Sequence, residues 1–310
     1  RPGKFSFKAG TLDKFSPVSA EVELEYEGGT LKIKAGRLSA TLPVTAPARM
    51  YPSTVVPHKC TVRAPSVKAA LAATSAMGLA DGKPVARFKC DGHNISAWSH
   101  NSYNASMYAV KDLTAPENNL FEATVPVGFV LAVIAAAVDD VPVQIGTDES
   151  AIRVEVGAIN AQHPLSTGID IEPLDAMVDQ LLTDTSTPSC SFDAEALTEA
   201  LLQLGGVKLA EKKEEDKLAV NLTVLPDKSR MVVSCDAGTG SATVRVPIKT
   251  VGSGTTEENS SLAVNYRMFC LAAARAKGEH DVKLMFFPDR LVVSGGPATM
   301  ILARVQQEEG

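Results

Sequence analysis

Leu31-Lys32-Ile33-Lys34-Ala35-Gly36-Arg37-Leu38-Ser39-Ala40-Thr41-Leu42-Pro43 reads as a strand of alternating hydrophobic and basic residues, a small-Gly-Arg turn, and a second strand ending in Leu-Pro. Just before it, Val22, Leu24 and Tyr26 alternate with Glu21, Glu23 and Glu25. A period of two marks a strand with one wet face. Gly28-Gly29 supplies the turn between these strands. Further back, a short strand over 5–9 and a short helix over 10–15 complete the unit: strand, helix, three strands.

That order recurs five times along the chain. The second copy runs from 60 to 110, with a helix starting at Pro65, apolar residues Val67, Ala70, Leu71 and Met77 at helical spacing, and Gly78 as its stop. The third spans 120–166, with a strand over 120–125, a helix over 127–138 and strands over 142–145, 151–156 and 159–163. The fourth spans 189–251: Asp193 caps a helix over 194–204, Gly205-Gly206 ends it, and strands follow over 218–225, 231–235 and 242–248. The fifth spans 261–305, with Asn265 capping a helix over 266–276 and strands over 282–286, 291–294 and 299–305. The expected class is α+β, built from tandem βαβββ half-domains.

One unit alone cannot bury both its helix and its sheet; two units side by side make a workable two-layer domain. The connectors 111–119 and 252–260 are short and polar, whereas 45–57 and 183–188 are rich in Thr, Ser and Pro and read as interdomain linkers. The expected division is 1–50 as half of a first domain, 55–182 as a middle domain and 188–310 as a last one.

Composition narrows the function. The chain has 310 residues, 45% hydrophobic, with mean hydropathy +0.05. Its net charge of −6 argues against attraction to nucleic acid through bulk positive charge, though a local basic surface is compatible with it. Five scattered cysteines, Cys60, Cys90, Cys190, Cys235 and Cys270, do not form a disulfide framework and point to reduced thiols in a cytoplasmic compartment. The longest apolar run, 125–138, contains Pro126 and Gly128 and ends in Asp139-Asp140; it reads as a buried helix, so no membrane attachment is expected. The first residues lack a signal-peptide apolar region.

At this point the residues resemble a family, the bacterial DNA sliding clamp, which is the beta subunit of the replicative DNA polymerase III holoenzyme. The stretch 31–43 carries the likeness most specifically. Val143-Gln144-Ile145-Gly146 with Ile152-Arg153-Val154-Glu155-Val156-Gly157 is similar to paired strands late in the clamp's middle domain, and 265–304 is similar to its closing unit. The resemblance implies helices lining the inside of a head-to-tail ring, sheets outside, and no catalysis. The family has six half-domains per chain, so copy one matches the second half of a first domain. Its partner half is either upstream of Arg1 or absent from a divergent, phage-like form.

The resemblance also implies two surfaces. Sequence-independent duplex DNA contacts fall on Lys14, Lys68, Arg267, Arg275 and Lys277. The helix of copy three has no charge, and that of copy four carries Glu195 and Glu199, so retention is expected to be topological rather than by affinity. A pocket for short peptides of DNA polymerase and the clamp loader is implied at His100, Tyr103, Pro164, Leu165, Leu302, Arg304 and Val305. The last unit's outer strand is expected to pair with the first unit of the next chain. The alternative is a clamp-fold interaction module that does not encircle DNA.

Other motifs are weaker. Cys90 and His93, with Cys60 and His58, lack a second close ligand pair, and no metal or other cofactor is expected. Gly238-Thr239-Gly240-Ser241 opens no helix carrying Lys-Ser/Thr and reads as a turn. No Ser/His/Asp set has an elbow motif. Trp98, the only tryptophan, reads as sheet packing ahead of a base-stacking platform with Tyr103 and Tyr108.

Overall fold

The computed structural model describes residues 23–27, 30–35, 38–43, 58–75, 79–80, 83–136, 141–147, 151–157, 159–164, 174–206, 218–225, 227–237, 240–252, 254–276 and 281–305. The strand expected over 5–9 and the helix over 10–15 lie outside the described residues. The chain divides into two compact units, Arg1–Val55 and Val56–Gly310. In the first, β1 (Glu23–Glu27), β2 (Thr30–Ala35) and β3 (Leu38–Pro43) form an antiparallel meander. Leu31 and Ile33 are buried on one face, while Glu23, Glu25 and Glu27 are exposed. Lys32 bridges Glu27 at 3.1 Å.

The second unit begins with β4 (His58–Arg63), α1 (Ala64–Thr74), β5 (Leu79–Ala80), β6 (Lys83–Gly92), β7 (Asn94–His100) and β8 (Asn104–Lys111). Then come β9 (Asn118–Pro126), α2 (Val127–Ala135), β10 (Pro142–Thr147), β11 (Ala151–Val156) and β12 (Ile159–Pro164). A helix with no counterpart in the sequence reading, α3 (Asp175–Thr183), precedes β13 (Ser189–Phe192), α4 (Ala194–Gly206), β14 (Ala219–Val224), β15 (Arg230–Ala237), β16 (Gly240–Pro247) and β17 (Thr250–Val251). The chain closes with β18 (Ser261–Asn265), α5 (Tyr266–Ala276), β19 (Val282–Phe286), β20 (Arg290–Gly295) and β21 (Ala298–Ala303).

The helix ends follow local chemistry. The Asp193 Oδ1 caps α4 by accepting from the N–H groups of Glu195 and Ala196, each at 3.0 Å, and Asn265 Oδ1 caps α5 by accepting from Met268 N–H at 3.0 Å. The first helix is described to Thr74, and Met77, expected on it, lies outside the described residues. Thr74 donates to Ala70 and Leu71, and Ser75 to Ala72.

Sheet pairing departs from the sequence units in one systematic way. The first strand of each copy pairs with the other copy of its pair. Strand β4 lies beside β10 in the order β12-β11-β10-β4, while β9 pairs with β6. Likewise β13 pairs with β19, and β18 with β14 in the order β16-β15-β14-β18. Each pair of copies is therefore welded by a reciprocal exchange of strands around a shared core. One core joins Val67, Leu71, Phe88, Val130, Ile134 and Ile145; the other joins Phe192, Leu197, Leu222, Phe269 and Leu284.

The outer strand of the last copy is not free. Strand β21 pairs antiparallel with β8 of the same chain, from Ala298 opposite Tyr108 to Leu302 opposite Asn104. This corrects the expectation that it joins the next chain: its edge is already occupied, and one ten-stranded sheet crosses both pairs of copies. The register assigns the faces. Met300 sits opposite Ser106, Met300 packs with α5, and Ser106 Oγ donates to Ala73 of α1 at 2.7 Å. Ile301 sits opposite Ala105, and both pack with α3. Helices α1 and α5 thus share one face, and α3 lies on the other.

Among the described residues, no helix is long and apolar enough to cross a membrane.

Candidate functional site

Where β8 begins and β21 ends, the sheet meets α4 and α5, and a groove of about 1140 Å³ opens. Tyr103 and Asn104 line one side, Ala303, Arg304 and Val305 another; Thr198, Leu201 and Leu202 of α4 and Asn265, Arg267, Met268, Cys270, Leu271 and Ala274 of α5 line the rest. The helices are held in place locally. Tyr266 Oη donates to the Leu201 carbonyl at 2.7 Å, and Gly205 lets the two helices approach, because a Cβ there would collide with Tyr266 Oη. Arg304 N–H donates to the Asp289 carbonyl at 2.8 Å, and Val305 N–H to the Ala263 carbonyl at 2.9 Å, so the strand's end is tied down.

The groove has an apolar floor and a cationic rim. Tyr103 and Leu202 are 75% and 70% exposed, among the most exposed large apolar side chains described. Arg267 and Arg304 are its only charged lining groups among the described residues. Burial raises the Cys270 thiol. Such a surface fits an apolar peptide carrying a carboxylate.

Of the expected peptide-pocket residues, Tyr103, Arg304 and Val305 come together here. Leu302 does not line the groove: it is 1% exposed in the core. Pro164 ends β12 in a different sheet, and His100 ends β7 with its Nε2 buried and unpartnered, outside the lining. Leu165 lies outside the described residues. The contributions of α4 and α5 were missed. The signal for one was present, since Leu202 is an apolar residue off the buried Leu197-Leu201-Leu204 stripe of its helix.

Of the expected DNA-contact residues, Lys14 and Lys277 lie outside the described residues. Lys68 is half-buried on α1. Arg267 is exposed on the first turn of α5 and also lines the groove. Arg275 behaves differently: its guanidinium donates to the Ala73 carbonyl at the end of α1, and burial lowers its pKa to about 10. It joins the two helices across the β8–β21 junction.

Trp98 is fully buried in the sheet, packed under α3. Among the described residues no three His, Cys, Asp or Glu side chains converge on a metal-sized site. Cys90 is fully buried, and the His93 ring meets the Ala115 carbonyl through Nδ1 at 3.0 Å.

No known family profile matches the sequence, and no curated protein matches it in sequence. Solved structures do match in three dimensions. The DNA polymerase beta subunit of Streptococcus pyogenes is 15% identical, with TM-score 0.73 over 99% of this chain and 83% of that one. The DNA polymerase III beta subunit of Thermotoga maritima is 11% identical, with TM-score 0.76 over 98% and 81%. The Pseudomonas aeruginosa DNA polymerase sliding clamp is 15% identical, with TM-score 0.69 over 92% and 76%. The chain has the fold of the bacterial DNA sliding clamps.

Proposed function

We propose that the protein is a sliding-clamp processivity factor: a non-enzymatic, cytoplasmic ring component that encircles duplex DNA and holds a polymerase by its peptide. The observation that carries this reading is the β21–β8 junction. It joins sheet edge to sheet edge while keeping α1 and α5 together on one face, which is how an arc with a helical inner wall is extended. Three further features support it. The outer edge of β16 has no strand partner among the described residues and suits pairing with an edge strand of a second copy, head to tail. The division 1–50, 55–182 and 188–310 then counts as one half-domain and two full ones. The groove between the strand ends and α4–α5 is the docking site for polymerase and clamp-loader peptides.

DNA is held by linkage. The exposed surface of α4 carries Glu195 and Glu199, that of α5 carries Arg267, and α2 is uncharged, so phosphate attraction is weak. Lys68 and Arg267, with Lys14 and Lys277, supply the few phosphate contacts; Arg275 contributes to the same helical wall chiefly by fixing α1 to α5.

The test is retention on a circular plasmid against the same plasmid linearised. A ring slides off free ends but stays on the circle. Equal loss from both, or a monomer at micromolar concentration by sedimentation, would overturn the proposal.

A further inference from the structure

Helix α3 lies on the face of the ten-stranded sheet opposite to every other described helix that contacts it. Its apolar side, centred on Val178 at 4% exposure, rests on Trp98 and Met107 from the first pair of copies and on Met285, Val292 and Ile301 from the second. It therefore straddles the β8–β21 junction, where two large bodies meet through a single short ladder. On the other face, the same junction is bridged by Arg275 and Ala73.

Apart from Asp175 at its first position, the end signals of α3 are poor for a helix. It has nine residues; Leu174 precedes it with no side-chain cap, and its last turn has no basic residue. Asp179 and Asp184 stand toward and beyond its C-terminal end, where the helix dipole disfavours carboxylates. Helices this short are unstable alone in water. Docking on the sheet is what keeps α3 folded.

We propose that α3 is a releasable strap. Docked, it locks the two pairs of copies into one body across the junction. Released, it melts as a unit and leaves the ladder and the Arg275 contact as a hinge, which lets the arc change curvature. This inference does not rest on the DNA-encircling reading.

Native-state hydrogen exchange on the full chain tests it directly. The amides of residues 178–183 are expected to exchange together, about 100-fold faster or more than those of β7 and β8. Trp98, the only tryptophan, reports the same event optically. Val178→Asp is expected to raise its acrylamide quenching about threefold and shift its emission to the red, with a cooperative thermal transition retained. Solution scattering should show a larger maximum dimension for the same variant. Exposed Ala176→Asp should change none of these readouts, and Gln180→Pro, which alters no apolar side chain of α3 but breaks the helix, should reproduce the release. Protection of 178–183 equal to that of β7 and β8 would overturn the strap. So would loss of the whole fold in both Val178→Asp and Gln180→Pro, or Trp98 remaining shielded in a folded Gln180→Pro protein. Unchanged scattering on release would overturn the hinge.

Discussion

Arg275 is half-buried, which a guanidinium tolerates only when its N–H groups find acceptors. The acceptor is the Ala73 carbonyl, 202 residues away, one of the orphan carbonyls at the end of α1. With its pKa lowered by burial only to about 10, the group stays charged at neutral pH. Arg275→Ala is expected to lower stability by about 1–3 kcal/mol, read from the urea midpoint at constant slope; an unchanged midpoint would mean the contact is not made in solution. A basic residue in the last turn of a helix reads from sequence as a phosphate contact, because nothing in the sequence says that a carbonyl waits across the junction. Asp184 offers a pH test at the same scale. Its carboxylate accepts from Ser186 N–H and Oγ and from Thr187 Oγ1, led by the Ser186 hydroxyl, which lowers its pKa to about 2. A depressed carboxylate adds stability above its unfolded value near 3.8, and this is lost as pH falls toward 2. In Asp184→Asn that part of the acid limb should flatten, checked by urea titrations from about pH 5 down to about pH 2.

At the scale of elements, the helices most legible in the sequence were those with caps. Asn265 and the apolar spacing of Tyr266–Ala276 place α5 where it is found, and Asp193 does the same for the start of α4. Helix α3 escaped because its cap position holds Leu174; Asp175 at its start and the spacing of Leu174, Val178 and Leu181 were the available signals. The groove was half legible for a different reason. Strand ends near the C-terminus can be matched to a pattern, but the approach of α4 to α5 depends on Gly205 and Tyr266, which no local rule connects. Gly205→Ala is expected to lower the melting temperature by several degrees, since the added methyl meets the Tyr266 hydroxyl; an unchanged transition would mean the helices yield freely. Leu202→Asp should leave stability within about 0.5 kcal/mol, because the side chain is 70% exposed. It should weaken a labelled apolar, acidic peptide about tenfold in anisotropy titrations, and unaltered affinity would place the docking site elsewhere.

For the whole molecule, the charge on the helices sets the expected behaviour toward DNA. With Lys14, Lys68, Arg267 and Lys277 opposed by Glu195 and Glu199, few phosphates can be neutralised. The logarithm of affinity for short linear duplex should therefore fall with the logarithm of salt with a slope no steeper than about −4. Anisotropy between about 50 and about 200 mM salt measures it, and a slope near −7 or steeper would favour an open, affinity-driven binder over linkage.

Among the described residues, periodicity and caps in the sequence marked four repeated units, the last three strands of another, and four of the five α-helices. Those signals are local: alternation says which face of a strand is apolar, and a cap says where a helix starts. Only the tertiary structure decided that β4 and β9, and β13 and β18, trade places between copies, and that β21 joins β8. Backbone ladders use the same N–H and C=O groups whatever the side chains, so a sequence marks a strand's buried face without naming its neighbour. The neighbour is chosen by which closure of the two cores leaves the least apolar surface in water.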